Sequence, residues 1–328
     1  MSRECEAHIR HSIHYQKLLH HSNELYKEGG MQTRCALEVF DLEWRNIRVG
    51  QLWAQKHARE DRVAAALCSN YSLAADLLHL RQRPGERLQW IQSSLASARR
   101  LGSKQAESSH LSNLGVVQIV LGHPLDAIES FKLSLSIVQQ TDDRQGEAGV
   151  LGNLGLAYDE INDTAHSLEC FERQLTISRE TNDKHREEKA LGSLGVAYSR
   201  LREFRRSIKY FKLQLHIARK LGNRISEGNA VGNIGTVYYL MGQTSLSIKW
   251  LEQWMSIARE SGDLFGEADA LWNMSVALNE LGQKRKASEC AAYAYTIYNT
   301  IQSPRAVKVL KELREWRLEA KTAKPFPK

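Results

Sequence analysis

The chain has 328 residues, of which 42% are hydrophobic and 25% are charged, which is typical of a folded soluble protein and not of a disordered one. The net charge is +7, but residues 302–328 supply +5 of it, so the excess is typical of a solvated terminus and argues against a nucleic-acid-binding face. No apolar run of about 18 residues and no secretory signal occurs, so we expect a cytoplasmic protein that does not associate with membranes.

Histidines are concentrated near the N-terminus, close to Cys5. They are His8, His11, His14, His20 and His21. Spacings of three residues on a helix can bring two imidazoles to one metal ion, so a zinc or nickel site is an alternative here. No carboxylate or second ligand pair completes such a site, and the five cysteines are widely spaced without a CxxC pair. We therefore expect no metal, no cofactor and no disulfide framework.

Residues 1–62 are predicted to form a helical cap or linker region. The run from Leu37 to Ile47, together with Leu52-Trp53-Ala54, resembles the helical segment that joins the ATPase core to the repeats in bacterial signal-transduction ATPases with numerous domains. That resemblance implies a sensor part separated from its ATPase. No GxxxxGK[ST] motif occurs in the chain, so the nucleotide site itself is missing.

Residues 63–103 are predicted to form a degenerate copy of the helix pair that follows. Asn70-Tyr71-Ser72 stands where later copies have an Asn-apolar-Gly run, and Trp90 and Leu95 fall at second-helix positions. Three additional residues around Arg83-Pro84-Gly85 are expected to lengthen the turn between its two helices.

One unit recurs every 40 residues between residues 104 and 301, which gives five copies. Each copy has an Asn, or once a Ser, followed by an apolar residue and then Gly, or once Ser. These positions are Asn113, Asn153, Ser193, Asn233 and Asn273. Apolar residues at helical spacing surround each position and resume after a short break, which predicts an antiparallel pair of amphipathic helices. A fixed period of this size indicates a stacked array of such pairs.

Tight turns are predicted between the copies. Each has a residue that tolerates left-handed backbone, followed by a residue that caps a helix N-terminus: Gly102-Ser103, Asp142-Asp143, Asn182-Asp183, Gly222-Asn223 and Gly262-Asp263. A Glu then lies in the first helical turn of every copy, where it suits the helix dipole: Glu107, Glu147, Glu187, Glu227 and Glu267. We interpret the recurrent glycines, and small residues twelve positions later, as a close contact between paired helices with no large side chain between them.

The repeat resembles the tetratricopeptide repeat. Leu154, Gly155, Tyr158, Ser167 and Phe171 match its pattern. The same pattern returns 40 residues later, at Leu194, Gly195, Tyr198, Ser207 and Phe211. The length of 40 residues is similar to the Leu-Gly-Asn-rich repeats of spindle-orientation adaptors. The resemblance implies an all-α fold, a right-handed solenoid of antiparallel helix pairs.

The resemblance also implies a binding groove, because the residue before the Leu-Gly pair lies on the first helix and faces the concave side. We call these residues the amide column: Asn70, Asn113, Asn153, Ser193, Asn233 and Asn273. An amide offers both a donor and an acceptor to an extended peptide backbone. Lys189, Asn229 and Arg200 are expected to add selectivity, and Trp272 to flank the groove. The alternatives are an Asn that only bonds the neighbouring repeat, a solvated helix face, and a tryptophan that belongs to the core.

Residues 302–320 carry an apolar stripe and are predicted to form a C-terminal capping helix, followed by a flexible basic tail at 321–328. No HExxH, GxSxG or GxGxxG motif occurs, so we expect no enzymatic activity. The predicted function is that of an adaptor or sensor that binds a protein or peptide partner in the groove. A regulatory module that docks on a separate ATPase or effector through its N-terminal helices is the alternative. The sequence leaves the oligomeric state open.

Overall fold

A computed structural model describes residues 3–28 and 30–322, which are almost entirely helical and contain no β-strand. The chain divides into two compact units, residues 1–177 and residues 178–328, called here the N-terminal unit and the C-terminal unit. The helices of the N-terminal unit are α1 (Arg3–Glu28), α2 (Gly30–His57), α3 (Arg62–Tyr71), α4 (Ala75–Arg81), α5 (Pro84–Leu101), α6 (Lys104–Val120), α7 (Pro124–Gln140), α8 (Arg144–Glu160) and most of α9 (Thr164–Glu180).

The C-terminal unit contains three helix pairs and a final helix. Its helices are α10 (Lys184–Arg200), α11 (Phe204–Leu221), α12 (Arg224–Leu240), α13 (Thr244–Ser261), α14 (Leu264–Glu280), α15 (Lys284–Thr300) and α16 (Arg305–Thr322). In each unit, most helices that are consecutive in the chain pack side by side, among them α6 with α7 and α12 with α13. First helices of neighbouring pairs also touch, α6 with α8 in the N-terminal unit and α12 with α14 in the C-terminal unit.

The turns between copies have the predicted conformation. Gly102, Asp142, Asn182, Gly222 and Gly262 all have positive φ, between 51° and 72°. Each following residue caps the next helix, because its side chain accepts a hydrogen bond from a backbone N–H three residues later. The same left-handed geometry recurs inside the pairs, at Gly122, Asn162, Arg202, Gly242 and Gly282, so the chain turns in one way about every 20 residues.

Arg202→Gly is expected to stabilise the C-terminal unit. Arg202 has φ 60°, a conformation in which a Cβ is strained, and the equivalent positions 122, 242 and 282 carry glycine. The gain should be about 0.5–1 kcal/mol, measured as a higher denaturation midpoint, because relief of strain is partly offset by the entropy of glycine in the unfolded chain. Lys212→Gly, at an exposed position in the middle of α11, is the control and should destabilise the protein by a similar amount.

The recurrent glycines do not face a surface without large side chains, so that part of the interpretation is wrong. A Cβ built on Gly195 would lie 2.5 Å from the ring of Phe211, and Gly115 and Gly155 face Phe131 and Phe171 in the same way. The glycine therefore leaves room for a buried aromatic ring of the second helix. The small residues twelve positions later are fully buried, and Ser207 Oγ donates a hydrogen bond to the Gly195 carbonyl at 2.7 Å.

The degenerate copy differs from a simple helix pair, because its first half is split into α3 and the short helix α4. Tyr71 ends α3 fully buried, and its hydroxyl donates to the carbonyl of Ser12 on α1 at 2.8 Å. Asn23, also on α1, accepts a hydrogen bond from the Leu77 N–H at 3.1 Å. Leu77 is fully buried in a core that α1 and α2 share with Trp90. The chain therefore bends after Tyr71 because α1 holds both sides of the bend.

None of the described helices is long and apolar enough to cross a membrane alone; α3 and α4 meet that criterion only jointly, across a bend of 64°. The predicted basic tail, residues 321–328, falls outside the described residues apart from its first two positions, which end α16.

Candidate functional site

The amide column lies on the first helices of the pairs. In the N-terminal unit, Asn113 on α6 and Asn153 on α8 are half-buried, and Asn70 near the end of α3 is exposed. Asn113 Nδ2 donates to the Ser72 carbonyl at 3.4 Å, and Asn153 Nδ2 donates to Ser112 Oγ at 3.3 Å. Both contacts reach the preceding helix pair. Each of these two amides therefore makes one long hydrogen bond, and the side chain stays half-exposed.

In the C-terminal unit the column consists of Ser193 on α10, Asn233 on α12 and Asn273 on α14, all half-buried. Within the described part of the chain, the amides of Asn233 and Asn273 have no hydrogen-bond partner, so both their donors and their acceptors are available to a ligand. Lys189 and Asn229 are exposed one turn before the column, each on the same helix as its column residue.

A second glycine position orients the amide column. Gly152, Gly192 and Gly232 directly precede column residues, and a long side chain of the second helix lies against each of them: Gln174, Gln214 and Trp254. These side chains are buried, with between 6% and 7% of their surface exposed. Since adjacent helical residues differ in direction by about 100°, the residue after the glycine turns away from the second helix. The sequence alone did not reveal this device.

An apolar residue follows the amide column one helical turn later in four of the five copies. The positions are Val116, Leu156, Val196, Thr236 and Val276. Leu156 is 49% exposed, and the valines are half-buried. Three of the five first helices, α6, α8 and α14, thus present an amide and, three residues later, an apolar side chain.

Trp272 lies against the last helix. Its ring stacks on that of Trp316 in α16, with centroids 6.1 Å apart and planes inclined by 6°. Trp254 is buried in the core between α11, α12 and α13, and Trp250 packs against that core. Arg200 is exposed at the C-terminal end of α10.

The recurrent first-turn Glu residues are ion-paired and nearly buried, which the helix-dipole argument did not predict. Glu187 receives Arg179 Nε at 2.8 Å on one oxygen and Lys184 Nζ at 2.8 Å on the other. The same clamp, a base eight residues earlier and another three residues earlier, holds Glu107 and Glu227. Burial raises the pKa of the Glu187 carboxyl, but the hydrogen bonds from Lys184 and Arg179 outweigh it, so the net pKa lies below its usual range.

Replacing Arg179 with Ala should raise the pKa of Glu187. A carboxyl with a lowered pKa in the folded state stabilises the fold at pH above its unfolded pKa, and this contribution is lost as the pH falls through the folded pKa. Without Arg179, fewer hydrogen bonds oppose the effect of burial on the pKa, so the loss of stability should begin at a higher pH. NMR titration of the Glu187 carboxyl carbon measures the change. Arg219→Ala, which opens the equivalent clamp at Glu227, should leave the Glu187 titration unchanged.

The N-terminal histidines have other contacts. His8 stacks on Trp53 with centroids 6.1 Å apart, and His11 and His14 both contact the ring of Tyr15. His20 Nε2 lies 2.7 Å from the Asn70 carbonyl. Among the side chains that the structure describes, no group of three or more His, Cys, Asp or Glu is arranged to hold a metal ion.

Comparison with known proteins identifies the repeat. The tetratricopeptide-repeat family profile matches residues 150–184 and 190–225. A search of curated protein sequences gives no significant match.

Three solved structures share the fold. One is the signal-transduction ATPase with numerous domains and a tetratricopeptide repeat sensor from Pyrococcus horikoshii. It is 14% identical, the match covers 98% of this chain and 54% of that protein, and the TM-score is 0.62. Aspartyl phosphate phosphatase F from Bacillus subtilis is 10% identical, with coverages of 91% and 83% and a TM-score of 0.62. The quorum sensor NprR from B. thuringiensis is 13% identical, with coverages of 87% and 79% and a TM-score of 0.60.

Identities this low establish a common fold and no common partner. The expected fold class, an all-α solenoid of antiparallel helix pairs, is confirmed by the helices and by these structures. The two profile matches show tetratricopeptide repeats at residues 150–184 and 190–225, which lie within the array of 40-residue period.

Proposed function

We propose that this protein is a non-enzymatic adaptor or sensor that binds an extended segment of another protein on the first helices of its repeats. The observation that carries the proposal is a pair of half-exposed amides, Asn233 and Asn273, which have no hydrogen-bond partner among the described residues and lie at the same position of the touching helices α12 and α14. Asparagine is unfavourable in a helix interior, so its recurrence at one position of the repeat indicates that the amide group itself has a function.

An extended peptide backbone has N–H and C=O groups that lose water on binding and need partners. An amide side chain supplies both kinds of partner, and amides on adjacent helices supply them at intervals along the peptide. The residues one turn later in the C-terminal unit are the apolar Val196 and Val276 and the polar Thr236, and they would contact the peptide side chains. The backbone contacts give affinity for any extended segment, and the side-chain contacts select among segments.

Charge on the same helices would narrow the choice of partner. Lys189 is exposed one turn before Ser193 on α10, whereas Asn229 takes the equivalent place on α12. A peptide with an acidic residue near α10 is therefore favoured over one with a basic residue there. NprR, which shares the fold, has been solved in complex with its cognate peptide NprX, and this supports peptide binding as a use of such a fold.

Peptide selection tests the proposal. A displayed library of random peptides is selected on the whole chain, and the enriched peptides are measured by fluorescence polarisation against Asn233→Ala/Asn273→Ala. The double substitution should weaken binding at least about tenfold. It should change the free energy of unfolding by no more than about 0.5 kcal/mol, because both side chains lack partners.

Asn299→Ala is the matched control. Asn299 is an exposed Asn of the same unit, on the second helix α15, so its loss should leave peptide binding unchanged. Enriched peptides that bind the double variant as tightly as the wild type would contradict the proposal. A selection on the wild-type chain that enriches no peptide would do the same.

A further inference from the structure

A cavity of about 270 Å³ opens between α10 and α11, beside the end of α9. Part of its wall is apolar and consists of Leu191, Leu213, Ile217 and Leu221; the rest consists of Arg179, Lys184, Glu187, His216 and Lys220. On α10 and on α11 the lining residues recur at spacings of three and four, so they share one face of each helix. All of them belong to the C-terminal unit.

The charged groups give this cavity a net positive charge. Glu187 is the one acidic residue among those that line it, and its two oxygens are already bound by Arg179 and Lys184. Lys184 uses one of its three N–H donors in this contact. Lys220, which lines the same cavity, has no carboxylate partner in the part of the chain that the structure describes. Two ammonium groups therefore have donors that an anion could use.

The next copy shows how the same arrangement is completed by the protein itself. In the pair of α12 and α13, Arg224 and Glu260 stand 40 residues after Lys184 and Lys220. Arg224 binds Glu227 on one side and also makes a close ion pair with Glu260. The second helix of that copy thus supplies a carboxylate to the base of the clamp. In α11 the equivalent residue is a lysine, so that carboxylate is missing.

An apolar wall accompanies this exchange of charge. Glu180 on α9 and Glu260 on α13 stand at the position of Lys220 in the neighbouring copies. Of the five copies, only that of α11 combines a base at this position with leucine at the positions of Leu213 and Leu221. This copy therefore presents a cation beside an apolar wall, and these are the two features that bind an anion with an apolar body.

We propose that this cavity binds a free carboxylic acid with an apolar body of about six to ten carbons. The carboxylate would lie between Lys184 and Lys220, in the place that the Glu260 carboxylate has in the next copy, and would accept charge-assisted hydrogen bonds from both ammonium groups. The body would lie against the leucines of α11. An apolar cavity of about 150 Å³ takes a benzene molecule, so the volume of about 270 Å³ suits a body of this size.

The cavity is separate from the amide column. None of its lining residues belongs to the column or to the positions one turn after it. The inference therefore does not depend on the proposed peptide binding, and either can fail without the other.

Calorimetric titration of the whole chain with sodium octanoate tests the proposal. We expect one site with a dissociation constant of about 0.1–1 mM, as for a ligand of about ten non-hydrogen atoms. Affinity should rise about fourfold for each CH₂ group added between butanoate and octanoate, because each group buries more apolar surface. Acetate, which has the charge without the body, should bind at least about a hundredfold more weakly than octanoate. Octylammonium, which has the same body with the opposite charge, should not bind.

Lys220→Glu introduces the residue of both neighbouring copies and should weaken octanoate binding at least about tenfold, because the new carboxylate would pair with Lys184. The equivalent pair of Arg224 and Glu260 is part of the native fold, so this variant should melt at the wild-type temperature or above it. Circular dichroism melting checks that the loss of binding is not a loss of folding. Lys308→Glu makes the same change of charge at an exposed position of α16 and should leave octanoate binding unchanged.

Four results would overturn the proposal. One is a wild type that does not bind octanoate at several millimolar, and another is octylammonium that binds as tightly as octanoate. A Lys220→Glu variant that binds octanoate as tightly as the wild type would place the acid elsewhere on the chain. A short peptide ending in leucine that binds here at least about tenfold more tightly than octanoate would replace the free acid with the C-terminus of a chain.

Discussion

Phe211→Ala is expected to destabilise the C-terminal unit by about 3–5 kcal/mol, the range for removal of a fully buried aromatic ring. The ring is 1% exposed and belongs to the core that α11 forms with α12 and α13. Its edge lies against Gly195 on α10, so the cavity would open between the two helices of a pair. Chemical denaturation, with hydrogen exchange of the α10 and α11 amides, measures the loss and locates it.

The effect of Gly195→Ala on stability should change sign when Phe211 is replaced with alanine. In the wild type, the new methyl group would lie 2.5 Å from the Phe211 ring, and overpacking should cost about 1–3 kcal/mol. In the Phe211→Ala background the space is empty, and alanine should stabilise the helix by up to about 1 kcal/mol. Gly85→Ala is the control, because no atom lies within 4 Å of its Cβ position. Equal effects of Gly195→Ala in both backgrounds would show that the glycine serves some purpose other than ring packing.

Acid should destabilise the N-terminal unit through His110, by about 2 kcal/mol at pH 5 and about 3 kcal/mol at pH 4 or below. His110 is fully buried on α6, and burial lowers its pKa from 6.5 to about 4. Above pH 6.5 the imidazole is neutral in both the folded and the unfolded chain. Between pH 6.5 and 4 the unfolded chain takes up a proton that the folded chain does not, so the free energy of unfolding falls with pH.

His110→Val removes this titration. The equivalent residue of the next copy is Val150, which is 4% exposed, so valine is compatible with the position. The substitution gives up a contact between His110 Nε2 and Ser69 Oγ at 3.0 Å and should lower stability slightly at pH 7.5, but the decline toward pH 5 should become shallower. Urea denaturation at pH 7.5 and pH 5 measures both effects. Leu125→Ala, at an exposed position of the same unit, should leave the acid dependence as it is.

Repeat period, turn positions and helix pairing could be predicted from the sequence, because each depends on residues close together in the chain. Asn182-Asp183 is an example: a left-handed residue and an N-cap identify a turn with no knowledge of the rest of the fold. The bend after Tyr71 could not be predicted, since it depends on Ser12 and Asn23 of α1.

The candidate site could likewise be predicted only in part. The position of the amide column on the first helices follows from the period, and it agrees with the resemblance on which it was predicted. The hydrogen bonds of the amides do not follow from the period, because equivalent Asn residues have different neighbours in different copies. Asn153 reaches Ser112 in the preceding pair, whereas the equivalent neighbour of Asn233 would be Gly192, which has no side chain to bond. Whether the column binds a peptide remains a proposal, which the double substitution at Asn233 and Asn273 tests.

The Glu clamps bear on how such a chain changes length during evolution. In the clamp of Glu187 both bases lie within the eight preceding residues, at Arg179 and Lys184, and Glu227 is held in the same local way. Unequal recombination that inserts or deletes a 40-residue segment containing either of these two clamps would therefore carry that clamp whole and would leave its carboxylate paired with its cations. Duplication can lengthen the protein without a matching change elsewhere in the gene.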